Sequence, residues 1–200
     1  MEASAASRPG WTLAHWAAHC DLGSGVFSKL HALGEDLQRP DPADGGRHPA
    51  HTAAAAGACC ALEALVAAGA DVQARDADGG TPAHAAAGSD IGVRSLRTLA
   101  ALRADVVGAT ASGRDRWGGS PAHAAAANGA GEALRCLRDL GSDFNERDDE
   151  GQRPAHWAAE AGAVDTLRAL AALRADLASA DDAGRSPADV AAEGGHREAK

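Results

Sequence analysis

Histidine and cysteine are the side chains in this chain best able to do chemistry, and the histidines are not scattered. His15, His51, His84, His123 and His156 follow one another at intervals of 36, 33, 39 and 33 residues. Imidazoles at such a spacing could ligate a metal, with zinc needing its nitrogens at about 2.0–2.1 Å, or could act as general bases beside a nucleophile. The four cysteines are Cys20, Cys59, Cys60 and Cys136. The vicinal pair Cys59-Cys60 would suit a thiol switch. The four form no Cys-x-x-Cys pair and are too sparse for a disulfide framework or a zinc knuckle, so reduced thiols are expected. The sequence holds no Ser-x-x-Lys, Gly-x-Ser-x-Gly or His-Glu-x-x-His, and no phosphate-cradling glycine loop. No catalytic residue, cofactor or metal is expected.

Composition narrows the classes further. Of 200 residues, 53 are Ala and 24 are Gly, with two Phe and no Tyr, so side-chain volume is scarce for a bulky-cored sheet enzyme. A formal net charge of −9, from 28 acidic and 19 basic residues, argues against a grip on nucleic acid or anionic membranes. The apolar stretches are far shorter than the roughly 18 residues of a membrane span. The opening Met1-Glu2-Ala3-Ser4 has an acidic residue where a secretory leader carries lysines, so cytoplasm or nucleus is the expected location.

The elements that must carry these histidines emerge when the chain is laid against itself. Each histidine closes a short motif: Thr12-Leu13-Ala14-His15, His48-Pro49-Ala50-His51, Thr81-Pro82-Ala83-His84, Ser120-Pro121-Ala122-His123 and Arg153-Pro154-Ala155-His156, with Ser186-Pro187-Ala188-Asp189 as a sixth. An Ala-Ala pair follows two residues later in all six. Downstream, an Asp falls 20 residues after His51, His123 and His156 but 21 after His15 and His84, so the first and third units carry one extra residue. A hydroxyl followed by Pro is a helix start. Gly57, Gly129 and Gly162 then break the chain. Apolar residues at helical spacing follow, such as Leu134, Leu137 and Leu140 or Leu167, Leu170 and Leu173. Asp-rich turns such as Asp76-Ala77-Asp78-Gly79 lead to the next unit. About five extra residues at 110–114 are expected to be absorbed by a loop.

This helix, helix, hairpin pattern resembles the ankyrin repeat, whose Thr-Pro-Leu-His-x-Ala-Ala, Gly, Leu-Leu and Gly-Ala-Asp-Val-Asn landmarks match these segments in register. The resemblance implies an all-α solenoid of stacked helix-turn-helix units with short β-hairpin-like loops. It would be a single domain over 7–200 after a flexible 1–6, with repeats at about 7–40, 43–75, 76–109, 115–147, 148–180 and an incomplete 181–200. The unfinished sixth unit suggests either that a longer protein continues beyond Lys200 or that a partner covers the fifth unit's edge. Ala14, Ala50, Ala83, Ala122, Ala155 and Ala188 stand where the family carries Leu, so a thin core is expected, with Trp16 and Trp157 filling part of the volume.

By the same resemblance, the five histidines bond backbone in the turns and staple neighbouring units. Packed helices about 8–10 Å apart also hold successive imidazoles too far from one another for a shared zinc. Cys59 and Cys136 fall on helices near the core as small fillers, which makes Cys20 the expected exposed thiol. Asn145, in Asp143-Phe144-Asn145 with Leu137 eight residues upstream, resembles the target of an asparaginyl hydroxylase. Its simpler role is to close a turn by bonding backbone.

The resemblance implies a non-catalytic module that binds a protein partner on a concave face of hairpin tips and inner helices, or else an adaptor or regulatory segment of a larger multidomain protein. The register places Asp44, Arg47, Arg75, Asp78, Gly80, Arg116, Trp117, Arg147, Asp149, Glu150, Gln152, Asp182 and Arg185 on the tips, with His19, Cys20, Ser89, Asn128 and Glu160 on the inner helices. Trp117 leads this set, because interface hot spots favour Trp and Arg. It could otherwise fold back over the 110–114 loop. The acidic excess favours a partner carrying basic residues.

Overall fold

Helices of six or seven residues are too short to hold themselves, so each must be started strongly and packed at once. In the computed structural model, which describes residues 10–196, α1 (Leu13–His19) and α2 (Ser24–Ala32) form the first unit. The second holds α3 (Pro49–Ala55) and α4 (Cys59–Ala67), and the third α5 (Pro82–Ala87) and α6 (Val93–Ala101). The fourth holds α7 (Pro121–Ala127) and α8 (Gly131–Asp139), and the fifth α9 (Pro154–Glu160) and α10 (Val164–Ala172), before α11 (Pro187–Glu193) opens the sixth. From α3 onward every first helix begins with Pro, which needs no N–H partner there. Segments 1–6 and 197–200, expected to be a flexible start and part of the unfinished unit, lie outside the described residues.

The odd-numbered helices pack on one another in chain order as an inner layer, and the even-numbered ones do the same outside them. Between the layers Phe27, Leu62, Leu65, Leu96, Leu99, Leu134, Leu137 and Leu170 are fully buried. Ala14, Ala50, Ala83, Ala122 and Ala155 are buried where the family carries leucine. Ala188 departs from them, being exposed on α11, which has no outer helix beside it among the described residues. For the same reason Leu167 on α10 and Leu173 just after it are only half-buried. The tryptophans do not fill the core as expected. Trp16 is half-buried, edge-on to Trp11 at 4.6 Å, and Trp157 is half-buried with its indole N–H donated to Asp148 at 2.8 Å.

The histidines tie this stack together. In each unit the backbone N–H just before the helix donates to the imidazole Nδ1, at 3.2 Å for His15 and His51, 3.1 Å for His84 and His123 and 3.0 Å for His156. An Nδ1 that accepts leaves the ring proton on Nε2. That N–H donates to the hairpin carbonyl of the following unit: Arg47, Gly80 and Gly119 at 3.0 Å, Gln152 at 3.2 Å and Arg185 at 3.1 Å. Both nitrogens are committed, so none of the five offers a lone pair to a metal.

The extra residue of the first and third units also has a use. Six residues past the histidine, where other units have Gly57, Gly129 and Gly162, these two have Asp21 and Asp90. Asp21 accepts the Ala61 N–H at 2.9 Å, and Asp90 accepts those of Glu132 and Ala133 at 2.9 and 3.1 Å. Each aspartate thus caps the outer helix of the next unit, satisfying donors that a helix start leaves orphaned. The inserted 110–114 segment forms a short 3-10 turn, Ala111–Gly113. Burial raises the Asp105 carboxyl beneath it, but the Thr110 hydroxyl and the N–H groups of Gly108, Ala109 and Thr110 outweigh that and hold it below the usual range.

Two outcomes follow. Burial, opposed by the carbonyl bond, pushes His51 down to about 4 and His123 to about 3, and lowers His15, His84 and His156 too. An unfolded imidazole titrates near 6.5, so the stabilisation is complete above that pH and is lost as pH falls towards the folded values. Urea unfolding at pH 7.5 and pH 5 should show His51 and His123 each withdrawing about 2 kcal/mol; an unmoved midpoint would overturn this. Asp90→Ala should cost about 1 kcal/mol through the lost cap, against no loss for a substitution at the uncapping Asp139.

Candidate functional site

A tip that displays side chains must first satisfy its own backbone, and here an aspartate does so. Asp76, Asp115, Asp148 and Asp181 each take two backbone N–H groups of their own turn at 2.8–3.0 Å. Burial holds the Asp115 carboxyl above its usual range in spite of these bonds. Each tip then bonds the next: Ala77 N–H to Gly45 O at 2.8 Å, Arg116 to Asp78 at 3.0 Å, Asp149 to Trp117 at 2.9 Å and Asp182 to Glu150 at 3.1 Å. The approach is close. At Gly118, with φ +77°, a Cβ would stand 2.8 Å from the Asp149 nitrogen. The tips therefore form a hydrogen-bonded ribbon along the inner helices.

Grooves run between this ribbon and the inner layer. A groove of about 640 Å³ is lined by Trp117, Asp148, Glu150, Gln152, Trp157, Glu160, Arg185, Val190, Glu193 and Gly194. The next, of about 350 Å³, includes Arg47, Asp78, Gly80, Ser89, Trp117 and Asn128. A third, also about 350 Å³, includes Trp11, His19, Asp44, Arg47, Thr52 and Ile91. Trp117, 43% exposed, is shared by the first two, and Arg47 by the last two. Trp117 thus stands over the grooves with the Arg116 guanidinium 4.2 Å from its ring centroid.

The other expected residues divide. Arg116 pairs with Asp78 at 3.0 Å, Arg147 with Asp182, and Arg185 with Asp181 at 2.8 Å and Glu193 at 3.3 Å. Arg75 donates to the Ala111 carbonyl, Arg47 lies 3.9 Å from Asp76, and Asn128 donates to Ala124 at 2.8 Å. Asp149 is exposed and Asp44 half-buried. Glu150 and Glu160 are exposed carboxylates without a side-chain partner among the described residues. Gln152 is only 9% exposed, less than a tip residue was expected to be, because its backbone carbonyl is the one that takes the His123 tether.

Two further expectations change. Cys136 is buried, Cys59 half-buried and Cys60 exposed together with Cys20, so the vicinal pair is not sheltered as a whole, and all four thiols are free. Asn145 bonds backbone, but not to close its own turn, which Asp143 does by accepting the Asn145 N–H at 2.8 Å. Its Oδ1 accepts the Asp176 N–H of the next unit at 2.8 Å instead.

Trp157, Trp11, Val190 and Glu193 belong to the grooves and were not expected there. A signal for Trp157 existed: the residues directly after the histidines include Thr52, Ala85, Ala124 and Trp157, all of which line grooves. That register position faces the inner surface. Among the described residues no group of three or more His, Cys, Asp or Glu could hold a metal, and no helix is long and apolar enough to cross a membrane.

No curated protein matches the chain. The family model described as ankyrin repeats (3 copies) matches residues 95–180 and 122–199, together just over half of it. With the six-fold register, the paired helices and the hairpin ribbon, this places the chain in the ankyrin repeat family, whose repeats are generally protein–protein interaction modules.

Proposed function

We infer that the chain is a non-catalytic interaction module that binds a protein partner through its hairpin tips and inner helices. One observation carries this: a large aromatic side chain, Trp117, stands exposed on a tip at the junction of two grooves. An aromatic anchor that becomes buried on docking concentrates binding energy. The tips are fixed to one another and to the histidines before any partner arrives, so docking orders few groups and loses little entropy. The paired charges Arg116–Asp78 and Arg147–Asp182 set which partner surfaces fit rather than how tightly they hold. Four free thiols support a reducing compartment, cytoplasm or nucleus.

A photo-crosslinking residue placed at exposed Asp149 should capture the partner, and the same residue at Arg135 on the outer layer should not. With that partner in hand, Trp117→Ala should weaken binding by about 2 kcal/mol or more while leaving the urea midpoint nearly unchanged. Equal capture from both positions, or an affinity indifferent to Trp117, would sink the reading.

A further inference from the structure

The groove of about 640 Å³ carries two tryptophans where each of the two neighbouring grooves carries one. Trp117 on the ribbon and Trp157 on α9 supply its aromatic surface, while Val190 adds an apolar patch. Around them stand Asp148, Glu150, Glu160 and Glu193, against Arg185 as the one cation among the described lining residues, which is already paired. Asp148 is spent on its turn and on the Trp157 indole, and Glu193 faces Arg185 at 3.3 Å. Glu150 and Glu160 remain, with no side-chain partner among the described residues.

A second, independent feature points to an occupant. Gln152 is nine-tenths buried and lines the groove, yet its side-chain amide makes no hydrogen bond among the described residues. Its amide atoms are not sealed from solvent, and they offer the groove both a donor and an acceptor of the kind a peptide main chain uses. The Trp117 ring already takes such a cation outside the groove, where the Arg116 guanidinium lies 4.2 Å from its centroid.

We propose that this groove receives an extended, arginine-bearing segment of a partner protein. The segment's main chain meets the Gln152 amide, its arginine stem lies along Trp157 and Trp117, and the guanidinium reaches Glu150 and Glu160. A planar, weakly hydrated cation suits this mixture of ring faces and carboxylates. The proposal rests on the inner surface being the binding face and adds the chemistry of its ligand.

The test titrates the full chain with a glycine-serine nonapeptide carrying one central arginine, followed by the indole N–H signals in ¹H–¹⁵N spectra. Citrulline, neutral and nearly isosteric, and glutamate replace the arginine in the controls. The arginine peptide should shift the Trp117 and Trp157 indole signals saturably and leave those of Trp11 and Trp16 in place. Citrulline should bind about tenfold more weakly and glutamate more weakly still. Glu150→Gln with Glu160→Gln, both at exposed positions, should reduce affinity about tenfold with the helical spectrum unchanged. Equal binding of arginine and citrulline, or shifts spread over all four indoles, overturns the proposal. If that happens while partner capture from position 149 still depends on Trp117, only the ligand chemistry is wrong; loss of that dependence as well removes the inner surface as the binding face.

Discussion

The hydrogen bond from each imidazole Nε2 to the hairpin carbonyl of the following unit is what makes a row of short helices into one body. Helices of six or seven residues, built largely from alanine, bury little area each and gain little from propensity alone. The tether works because its two halves need each other. The N–H before the helix fills Nδ1, which fixes the proton on Nε2, which in turn can only donate. A second proton would have to sit on Nδ1 against that backbone N–H, in a place from which water is excluded. Burial of the rings in the stack is what lowers the histidine values, against the opposing pull of the carbonyl bond.

A stack that leans on tethers can afford a thin core. The fully buried leucines lie on the outer helices and reach inward, while the inner helices present Ala14, Ala50, Ala83, Ala122 and Ala155. Alanine there allows helices to approach, and the hairpins take over part of the cohesion. Their aspartates satisfy each turn, and one N–H···O bond links each tip to the next. In the last motif Asp189 stands where the others carry histidine, and it takes the Ser186 N–H at 2.9 Å in a capping box.

Much of this was legible in the sequence because recurrence averages away the ambiguity of any one segment. Six motifs in register give helix starts, the Asp turns and the leucine faces. What register could not give is the fate of a side chain whose backbone serves a neighbour. Gln152 looks like a tip residue, yet its carbonyl accepts the His123 tether and draws it inward. Trp157 looks like core filler by volume, but the indole N–H needs an acceptor, and Asp148 on the ribbon supplies one. The single extra residue in the first and third units could be counted, whereas its purpose depends on Asp21 and Asp90 reaching helices some 40 residues away.

The same tethers explain why variation collects where it does. A tip bonded on both sides through its backbone leaves its side chains free of structural duty, apart from the first aspartate and the glycine at the close approach. Positions 116, 117, 149 and 150 can therefore differ between units without disturbing the stack. The residue after each histidine also differs between units, from Ala85 and Ala124 to Thr52 and Trp157. Trp117 and Trp157 occupy one position of each kind, and the groove between them is where the two variable rows of the repeat meet. Specificity can be rewritten on the tip row at little cost in stability, whereas Trp157, edge-on to the tethering His123 at 5.3 Å and bonded to Asp148, also carries a structural load.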